Sequence, residues 1–152
     1  MMNKISVVII TKNEETNIQR CIESVLFADE IIVYDSGSVD QTVSIARKLG
    51  AKVSVGDWMG FGPTKRHATS LALNDWILSI DADEEVSADL KSELLNRREN
   101  LNPQVGYRLP RLSNYLGQWV RHGGWYPDYQ LRLFNRQHCN WNEDVIHEKV
   151  NA

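Results

Sequence analysis

The chain has 152 residues, a length typical of one domain with a single hydrophobic core. Hydrophobic residues make up 42% and charged residues 24%, which argues against disorder, and the net charge of -3 gives no strong overall field for nucleic acid. Cys21 and Cys139 lie far apart without a metal-binding spacing, so we expect two reduced thiols of a cytosolic protein. The N-terminus lacks the features of a signal peptide, and no apolar segment is long enough to span a bilayer.

Strand-like and helix-like periods alternate along the first hundred residues. Residues 5–10 are nearly all β-branched, which predicts a strand buried on both faces. A helix follows, capped by Asn13 or Thr16 and ending near Phe27. The next predicted elements are a strand at 30–34, a helix at 42–49 closed by Gly50, a strand at 51–55, a loop at 56–64, a helix at 65–73, a strand at 76–80, and a helix from a Ser87 cap to about residue 98, with Leu90, Leu94 and Leu95 facing inward. This β-α-β-α-β order predicts a doubly wound, mostly parallel sheet.

The pattern changes after a linker at residues 100–103. Residues 106–112 and 130–134 alternate like half-exposed strands, separated by an aromatic, glycine-rich loop at 119–129. We expect them to add mixed or antiparallel strands beside the parallel core. The sequence therefore predicts an α/β fold in a single domain.

Polar clusters follow three predicted strands, at residues 11–14, 35–38 and 81–83. In open α/β sheets, ligands bind beyond the carboxyl ends of the strands. If the chain stays extended, Asp81 and Asp83 share a face, where a hard cation offsets their repulsion. Alone, such a stretch is also typical of a strand end followed by a solvated acidic loop and a helix N-terminus. Three clusters together favour a ligand-binding site formed by several strands.

Two common nucleotide-binding motifs are missing from the sequence, which limits the range of candidate ligands. It has neither a GxGxxG pattern nor a Walker A lysine motif, so a dinucleotide site or P-loop is disfavoured. A mononucleotide-type site with Mg²⁺ or Mn²⁺, held by carboxylates and ligand phosphates, fits better.

Several segments carry a resemblance to a known family. Three segments resemble the family 2 glycosyltransferases of the GT-A fold: residues 8–15 (VIITKNEE), 35–42 (DSGSVDQT) and 76–84 (WILSIDADE). Further segments resemble one branch of this family, the lipopolysaccharide core β-1,4-glucosyltransferases. They are residues 58–62, the helix that contains Lys65, and residues 124–128, 131–134 and 146–148. The resemblance implies a Rossmann-like α/β/α sandwich over residues 1–152. Residues 1–103 would be its nucleotide-sugar-binding half and residues 104–152 an incomplete acceptor-side half that carries the catalytic base.

The resemblance also implies which residues bind the donor. They are Thr11, Asn13, Glu14, Asp35, Lys65, Asp81 and Asp83. Asp35 would accept a hydrogen bond from the uracil ring. The family more often has two consecutive acids before the glycine at position 37, whereas in this chain the second of these positions is Ser36. Lys65 or Arg66 would lie near the diphosphate, Asp81 by the ribose and metal, and Asp83 on the metal.

From the residues alone, other roles stay open for the same side chains. Asp35 is also suited to starting a turn or capping a helix. Lys65 and Arg66 are also typical of a solvated helix face. The aromatic residues, Trp58, Phe61, Trp119, Trp125 and Tyr126, suit either packing or stacking on a sugar.

An inverting transfer needs a general base on the side opposite the leaving group, so the base comes from another part of the chain. The candidate acids are Asp128, Glu143, Asp144 and Glu148. We predict Asp128, placed before Leu131-Arg132-Leu133-Phe134 as in related polyprenyl-phosphate sugar transferases, with Glu148 second. His147 would be a third metal ligand beside Asp81 and Asp83. Arg132 would pair with phosphates or with an acid in the core.

The implied activity is a metal-dependent, inverting transfer of a hexose, glucose from UDP-glucose, to a lipopolysaccharide or lipooligosaccharide core acceptor. The cofactor would be Mg²⁺ or Mn²⁺, and the partners a nucleotide sugar and a lipid-linked saccharide, not nucleic acid. The protein would be cytoplasmic, with peripheral contact at the cytoplasmic face of the inner membrane. Two alternatives stay open. One is a truncated, catalytically weak sugar-nucleotide-binding domain, since family members usually continue well beyond this point. The other is a transferase of the same fold acting on polyprenyl phosphate, which normally brings transmembrane helices.

Overall fold

The computed structural model describes residues 3–111, 114–115, 118–119, 128–141 and 150–151. The strands are β1 (Ile5–Thr11), β2 (Glu30–Asp35), β3 (Lys52–Val55), β4 (Trp76–Asp81), β5 (Tyr107–Arg111), β6 (Asn114–Tyr115), β7 (Gln118–Trp119), β8 (Asp128–Asn135), β9 (Asn140–Trp141) and β10 (Val150–Asn151). The helices are α1 (Ile18–Glu23), α2 (Thr42–Lys48), α3 (Phe61–Ser70) and α4 (Ala88–Arg97), followed by a 3-10 turn at Arg98–Asn100.

Six strands form the central sheet, in the order β3-β2-β1-β4-β8-β5. The first four strands in this order pair in parallel, whereas β8 pairs antiparallel with both β4 and β5. Two short antiparallel pairs, β6–β7 and β9–β10, lie outside the sheet. The predicted mixed sheet with a parallel core is confirmed.

Alternate side chains of β1 enter two apolar cores, one on each face of the sheet. Val7 and Ile9 belong to the larger core, which also contains residues of α1, α2 and α4. Val8 belongs to the second core, together with Ala68 of α3 and Phe134 of β8. Burial on both faces explains why β1 is apolar without polar alternation, and it confirms the sandwich of helices around a sheet.

Helix boundaries differ most from the prediction in α1 and α3, and α3 also ends at Ser70 instead of residue 73. Helix α3 begins at Phe61 instead of residue 65, because Pro63 lies in the first turn, where its missing N–H has no intrahelical partner to lose. The hydroxyl of Thr64 accepts a hydrogen bond from the Met59 N–H at 2.9 Å and fixes this start. Helix α1 ends at Glu23, and its N-cap position is Asn17, so the predicted caps and the end near residue 27 are wrong.

Buried side chains bear on two further expectations. Leu94 is buried and Leu90 packs against the larger core, as predicted for a stripe with a four-residue spacing. Leu95 is 41% exposed, because one further residue rotates it about a quarter turn away from that stripe. Cys21 and Cys139 are buried free thiols, and Cys21 lies on the buried side of α1. Among the described helices, none has the length and hydropathy needed to cross a bilayer.

The Ser87 cap gives a test of the fold. Its hydroxyl accepts a hydrogen bond from the Leu90 N–H at 3.1 Å, as predicted for the start of α4. We expect Ser87→Ala to lower the free energy of unfolding by about 1 kcal/mol, since a donor of the first turn loses its partner. Urea unfolding measures this, with Ser70→Ala as the matched control, because Ser70 only donates to the His67 carbonyl on an exposed helix face. Equal losses in the two variants would contradict a capping role.

Candidate active site

A cleft of about 510 Å³ opens at the carboxyl ends of β1, β2 and β4. Its volume lies in the range of small-molecule sites. The wall is formed by Ile10, Thr11, Lys12, Glu14, Ser36, Trp58, Phe61, Asp81, Ala82 and Asp83. The strand register explains why they meet, because Thr11 pairs with Asp35 and Ile10 with Asp81 across neighbouring strands. The three polar clusters of the sequence therefore lie at one edge of the sheet.

The loops after β1 and β2 are tied together by side chains of the first two clusters. The Asp35 carboxylate accepts hydrogen bonds from the Gly37 N–H at 3.0 Å and from the Ser38 N–H at 2.8 Å. Asn13 has a left-handed backbone, with a φ of 53°, and its side-chain oxygen accepts from the Val39 N–H at 2.8 Å. Asp35 and Asn13 are not among the described residues that line the cleft, so in this structure they shape the loops around it.

Two hydroxyl groups on the cleft wall are buried and have no hydrogen-bond partner among the described residues. They are the Oγ1 atom of Thr11 and the Oγ atom of Ser36. An unpaired buried polar group costs about 1–3 kcal/mol, so a native structure retains it where a ligand or water satisfies it. Thr11 lines the cleft, and its predicted place beside the nucleotide stays a prediction. Ser36 was not predicted, although it stands where the family usually has a second acid.

Two aromatic rings form the apolar side of the cleft. Trp58 is 48% exposed and Phe61 is 43% exposed, and their centroids lie 4.8 Å apart in an edge-to-face arrangement. Together with Ile10 and Ala82 they are the apolar residues that line the cleft beside its acids and hydroxyls. The sequence indicated these rings only through the branch-like segment at residues 58–62, without separating packing from ligand contact.

The acidic cluster is a turn and not a continuation of the strand. Strand β4 ends at Asp81, and Ala82 and Asp83 lie in a turn closed by a hydrogen bond of 3.0 Å from the Glu84 N–H to the Asp81 carbonyl. The argument from extended-chain alternation is therefore wrong for Asp83. Both carboxylates nevertheless line the cleft, because the turn keeps Ala82 buried and leaves Asp83 exposed.

Two buried cations flank Asp81 on the side away from solvent. The Nζ atom of Lys65 lies 3.6 Å from its Oδ1 atom, and the Nη2 atom of Arg132 lies 3.5 Å from its Oδ2 atom. Lys65 is only 3% exposed and also lies 4.6 Å from the ring centroid of Trp141, so it is not part of a solvated helix face. Arg66 is exposed, and its guanidinium donates to the Trp141 carbonyl at 3.0 Å. Arg132 pairs with acids beneath the cleft, which is one of its two predicted roles.

Cys21 lies directly beneath this turn. Its thiol is 3.5 Å from the Asp81 carbonyl oxygen, to which it can donate. Burial, and then the nearby carboxylates of Glu84, Asp81 and Asp83, raise the pKa of the Cys21 thiol. The thiol therefore stays protonated and serves packing beneath the cleft.

The carboxylates on the cleft wall fit a hard divalent ion. Mg²⁺ usually takes one or two protein carboxylates and completes its shell with ligand phosphates and water, a set that Asp81 and Asp83 match. Over the described ranges, no group of three or more acid, His or Cys side chains forms a metal site by itself. The predicted third ligand, His147, lies outside the described residues, as does the second candidate base, Glu148.

The strand order also locates the backbone of Asp128. This residue begins β8, which runs antiparallel to β4 with Leu78 opposite Leu133. The first residues of β8 therefore lie toward the carboxyl end of β4, at the edge of the sheet where the cleft opens. This backbone position is compatible with the predicted role of Asp128, which stays a prediction.

Comparison with known proteins identifies the family. The sequence profile of "Glycosyl transferase family 2" matches residues 6–148. An uncharacterized glycosyltransferase of Rickettsia typhi is 47% identical over 95% of this chain and 50% of its own length. The lipopolysaccharide core biosynthesis glycosyltransferase LpsC of Rhizobium meliloti is 30% identical over 96% of this chain and 56% of its own length. The chain thus spans about half the length of these relatives.

A solved structure extends the comparison to the fold. Glucosyl-3-phosphoglycerate synthase of Mycobacterium tuberculosis, solved in complex with uridine diphosphate, has a TM-score of 0.56 and 27% identity. The match covers 68% of this chain and 42% of the synthase. With the profile match over nearly the whole sequence, these findings show that the chain belongs to glycosyl transferase family 2 and has the GT-A fold of a glycosyltransferase.

Proposed function

We propose that the protein is a metal-dependent, inverting transferase that moves glucose from UDP-glucose to a lipopolysaccharide or lipooligosaccharide core saccharide. The observation that carries the donor part is the cleft, in which an acidic turn and two unpaired hydroxyls line one space. The uridine diphosphate bound to the similar synthase supports a uridine donor. The name of the LpsC relative supports a core saccharide as acceptor. Peripheral contact at the cytoplasmic membrane face is part of the proposal, because such an acceptor is linked to lipid.

The two ends of the cleft suit the two ends of the donor. The nucleoside lies toward Thr11 and Ser36, whose hydroxyls can each donate and accept, and the apolar wall of Trp58 and Phe61 suits a planar or sugar ring. The diphosphate lies toward Asp83 at the exposed turn. Asp83 and Asp81 would hold a divalent ion, which supplies positive charge for the diphosphate and its departure.

The chain's own groups account for the remaining steps. The general base takes the proton of the acceptor hydroxyl, whose oxygen attacks the anomeric carbon as the bond to the diphosphate breaks. Inversion follows because attack comes from the face opposite the leaving group. Asp128 is our first candidate for this base and Glu148 the second. The aromatic wall excludes water from one side of the reacting sugar.

The binding of UDP is the direct test. At roughly 100 times its Kd, UDP with Mn²⁺ should raise the free energy of unfolding by about 2.7 kcal/mol, as any ligand of the native state does. Calorimetry with Mn²⁺ or with EDTA measures the affinity and its dependence on metal. A thermal-shift series with UDP-, GDP- and dTDP-glucose should rank the uridine donor first.

The outcomes separate the parts of the proposal. If UDP does not bind with Mn²⁺, the proposal fails. If GDP- or dTDP-glucose ranks first, the donor is wrong while the enzyme class stands. Release of UDP from UDP-glucose only when a lipopolysaccharide core acceptor is present supports the transferase. Binding without release supports the alternative of a sugar-nucleotide-binding domain.

A further inference from the structure

The acidic turn is braced by a residue that does not line the cleft. Glu84 closes the turn twice: its N–H donates to the Asp81 carbonyl at 3.0 Å, and its Oε1 atom accepts from the Asp81 N–H at 2.7 Å. The side chain and the backbone N–H of Glu84 therefore both bind the backbone of Asp81, and they join the last residue of the four-residue segment to its first. Asp83 lies between these ends, so its position on the cleft wall depends on the bracing.

The second brace comes from a distant strand. The Nη2 atom of Arg132, on β8, lies 3.3 Å from the Oε2 atom of Glu84 and 3.5 Å from the Oδ2 atom of Asp81. Arg132 is only 8% exposed, so the guanidinium reaches the two acids from the interior of the protein. One buried guanidinium thus joins β8 to both ends of the turn.

The charges explain why such a brace is needed. Asp81, Asp83 and Glu84 place three carboxylates within four residues, and like charges this close repel each other. Arg132 offsets the charge of Asp81 and Glu84 from beneath, on the side away from solvent. Asp83 is exposed on the cleft wall, and no described ion pair joins it to Arg132.

We propose that Glu84 and Arg132 are positioning residues, which hold the acidic turn so that Asp83 and Asp81 together bind the divalent ion of the donor complex. This inference rests on the proposed metal-dependent function. Neither residue is among the described residues that line the cleft, and both contact Asp81, so each acts through the aspartates. Residues in this relation to metal ligands typically set metal affinity by orienting the ligands.

A metal titration distinguishes positioning from simple structural support. In the full chain, the Mn²⁺ concentration for half-maximal UDP binding is measured together with UDP affinity in EDTA. Arg132→Met and Glu84→Gln should each raise the required Mn²⁺ concentration about 10- to 100-fold while leaving UDP affinity in EDTA unchanged. The effects of the two single changes should not add in the double variant, because both changes remove the contact between Arg132 and Glu84. Arg132→Lys should fall between wild type and Arg132→Met.

Arg98→Met is the matched control. Arg98 is also a buried arginine paired with an acid, Asp29, but this pair lies near the start of β1, at the opposite end of the sheet from the cleft. Arg98→Met should lower the Tm without changing the Mn²⁺ requirement. If Arg132→Met does not fold, the inference is tested with Glu84→Gln and Arg132→Lys. Glu84→Gln keeps the shape of the side chain, and Arg132→Lys keeps the positive charge.

The failures are distinguishable. If the wild-type protein binds UDP with Mn²⁺ and the Arg132 and Glu84 variants need no more Mn²⁺ than Arg98→Met, the inference is overturned and the proposed function stands. If wild-type binding of UDP does not depend on Mn²⁺, the proposed metal dependence is overturned and the positioning role falls with it.

Discussion

Asp83→Asn should lose metal-dependent UDP binding and remain as stable as the wild-type protein. The carboxylate of Asp83 is exposed on the cleft wall, at the tip of a turn that is held from beneath. Removing one of two carboxylates from a hard-metal site takes away a charged ligand that an amide oxygen replaces poorly. We expect UDP affinity in Mn²⁺ to fall by about two orders of magnitude or more, as for other lost metal-site contacts. Calorimetry in Mn²⁺ and in EDTA measures the change.

The stability of this variant is part of the prediction. Because Asp83 is exposed, its substitution should change the free energy of unfolding by no more than about 0.5 kcal/mol. Glu85→Gln is the matched control, since it also removes a negative charge from an exposed residue. Glu85 lies two positions after Asp83 and is not among the described residues that line the cleft. Equal loss of UDP binding in both variants would point to the general field of the acidic segment and would refute a specific role for Asp83.

Asp81 should behave differently from Asp83, although the two acids are neighbours. Lys65 and Arg132 lie within 3.6 Å of its oxygens, so its charge is already partly balanced inside the protein. Removing it leaves two buried cations without this partner, which is costly. The structure thus distinguishes the two acids: Asp81 contacts two buried cations, and Asp83 is exposed on the cleft wall.

The parts of the fold that the sequence predicted are those set by local burial. Strands β1, β2 and β4 were placed to within one residue, because burial on both faces makes such strands continuously apolar. The start of α3 was missed because the Gly62-Pro63 pair resembles a loop, whereas proline is tolerated in a first turn. The inward prediction for Leu95 failed because Leu94 already fills the buried stripe.

The site was predictable in location more than in detail. Parallel strands bring their carboxyl ends to one edge, so three polar clusters in sequence imply one cleft. The brace between Arg132 and Glu84 joins residues that are 48 positions apart, and no local pattern records a contact between β8 and the end of β4. The turn bonds of Asp35 and the burial of Lys65 likewise depend on which neighbours the fold supplies.

The largest effect on turnover should come from the general base. Asp128→Asn should lower kcat for glucose transfer by about 10²- to 10⁴-fold, the usual contribution of a positioned base. UDP affinity should stay unchanged, because Asp128 is not among the residues that we propose bind the donor. The strand register supports this assignment, since Asp128 begins the strand that runs antiparallel to β4 beside the cleft. Steady-state release of UDP with a saturating core acceptor measures kcat.

Glu148→Gln provides the comparison that makes the assignment decisive. Both substitutions remove one carboxylate and keep its shape, so a base differs from a binding group only in its effect on kcat. A large loss in Asp128→Asn with a small loss in Glu148→Gln supports our first candidate, and the reverse pattern transfers the role to Glu148. If both variants keep kcat within about threefold of wild type, neither acid accepts the proton, because a lost base costs far more than this. The base would then have to be sought at Glu143 or Asp144, the two acids between these candidates.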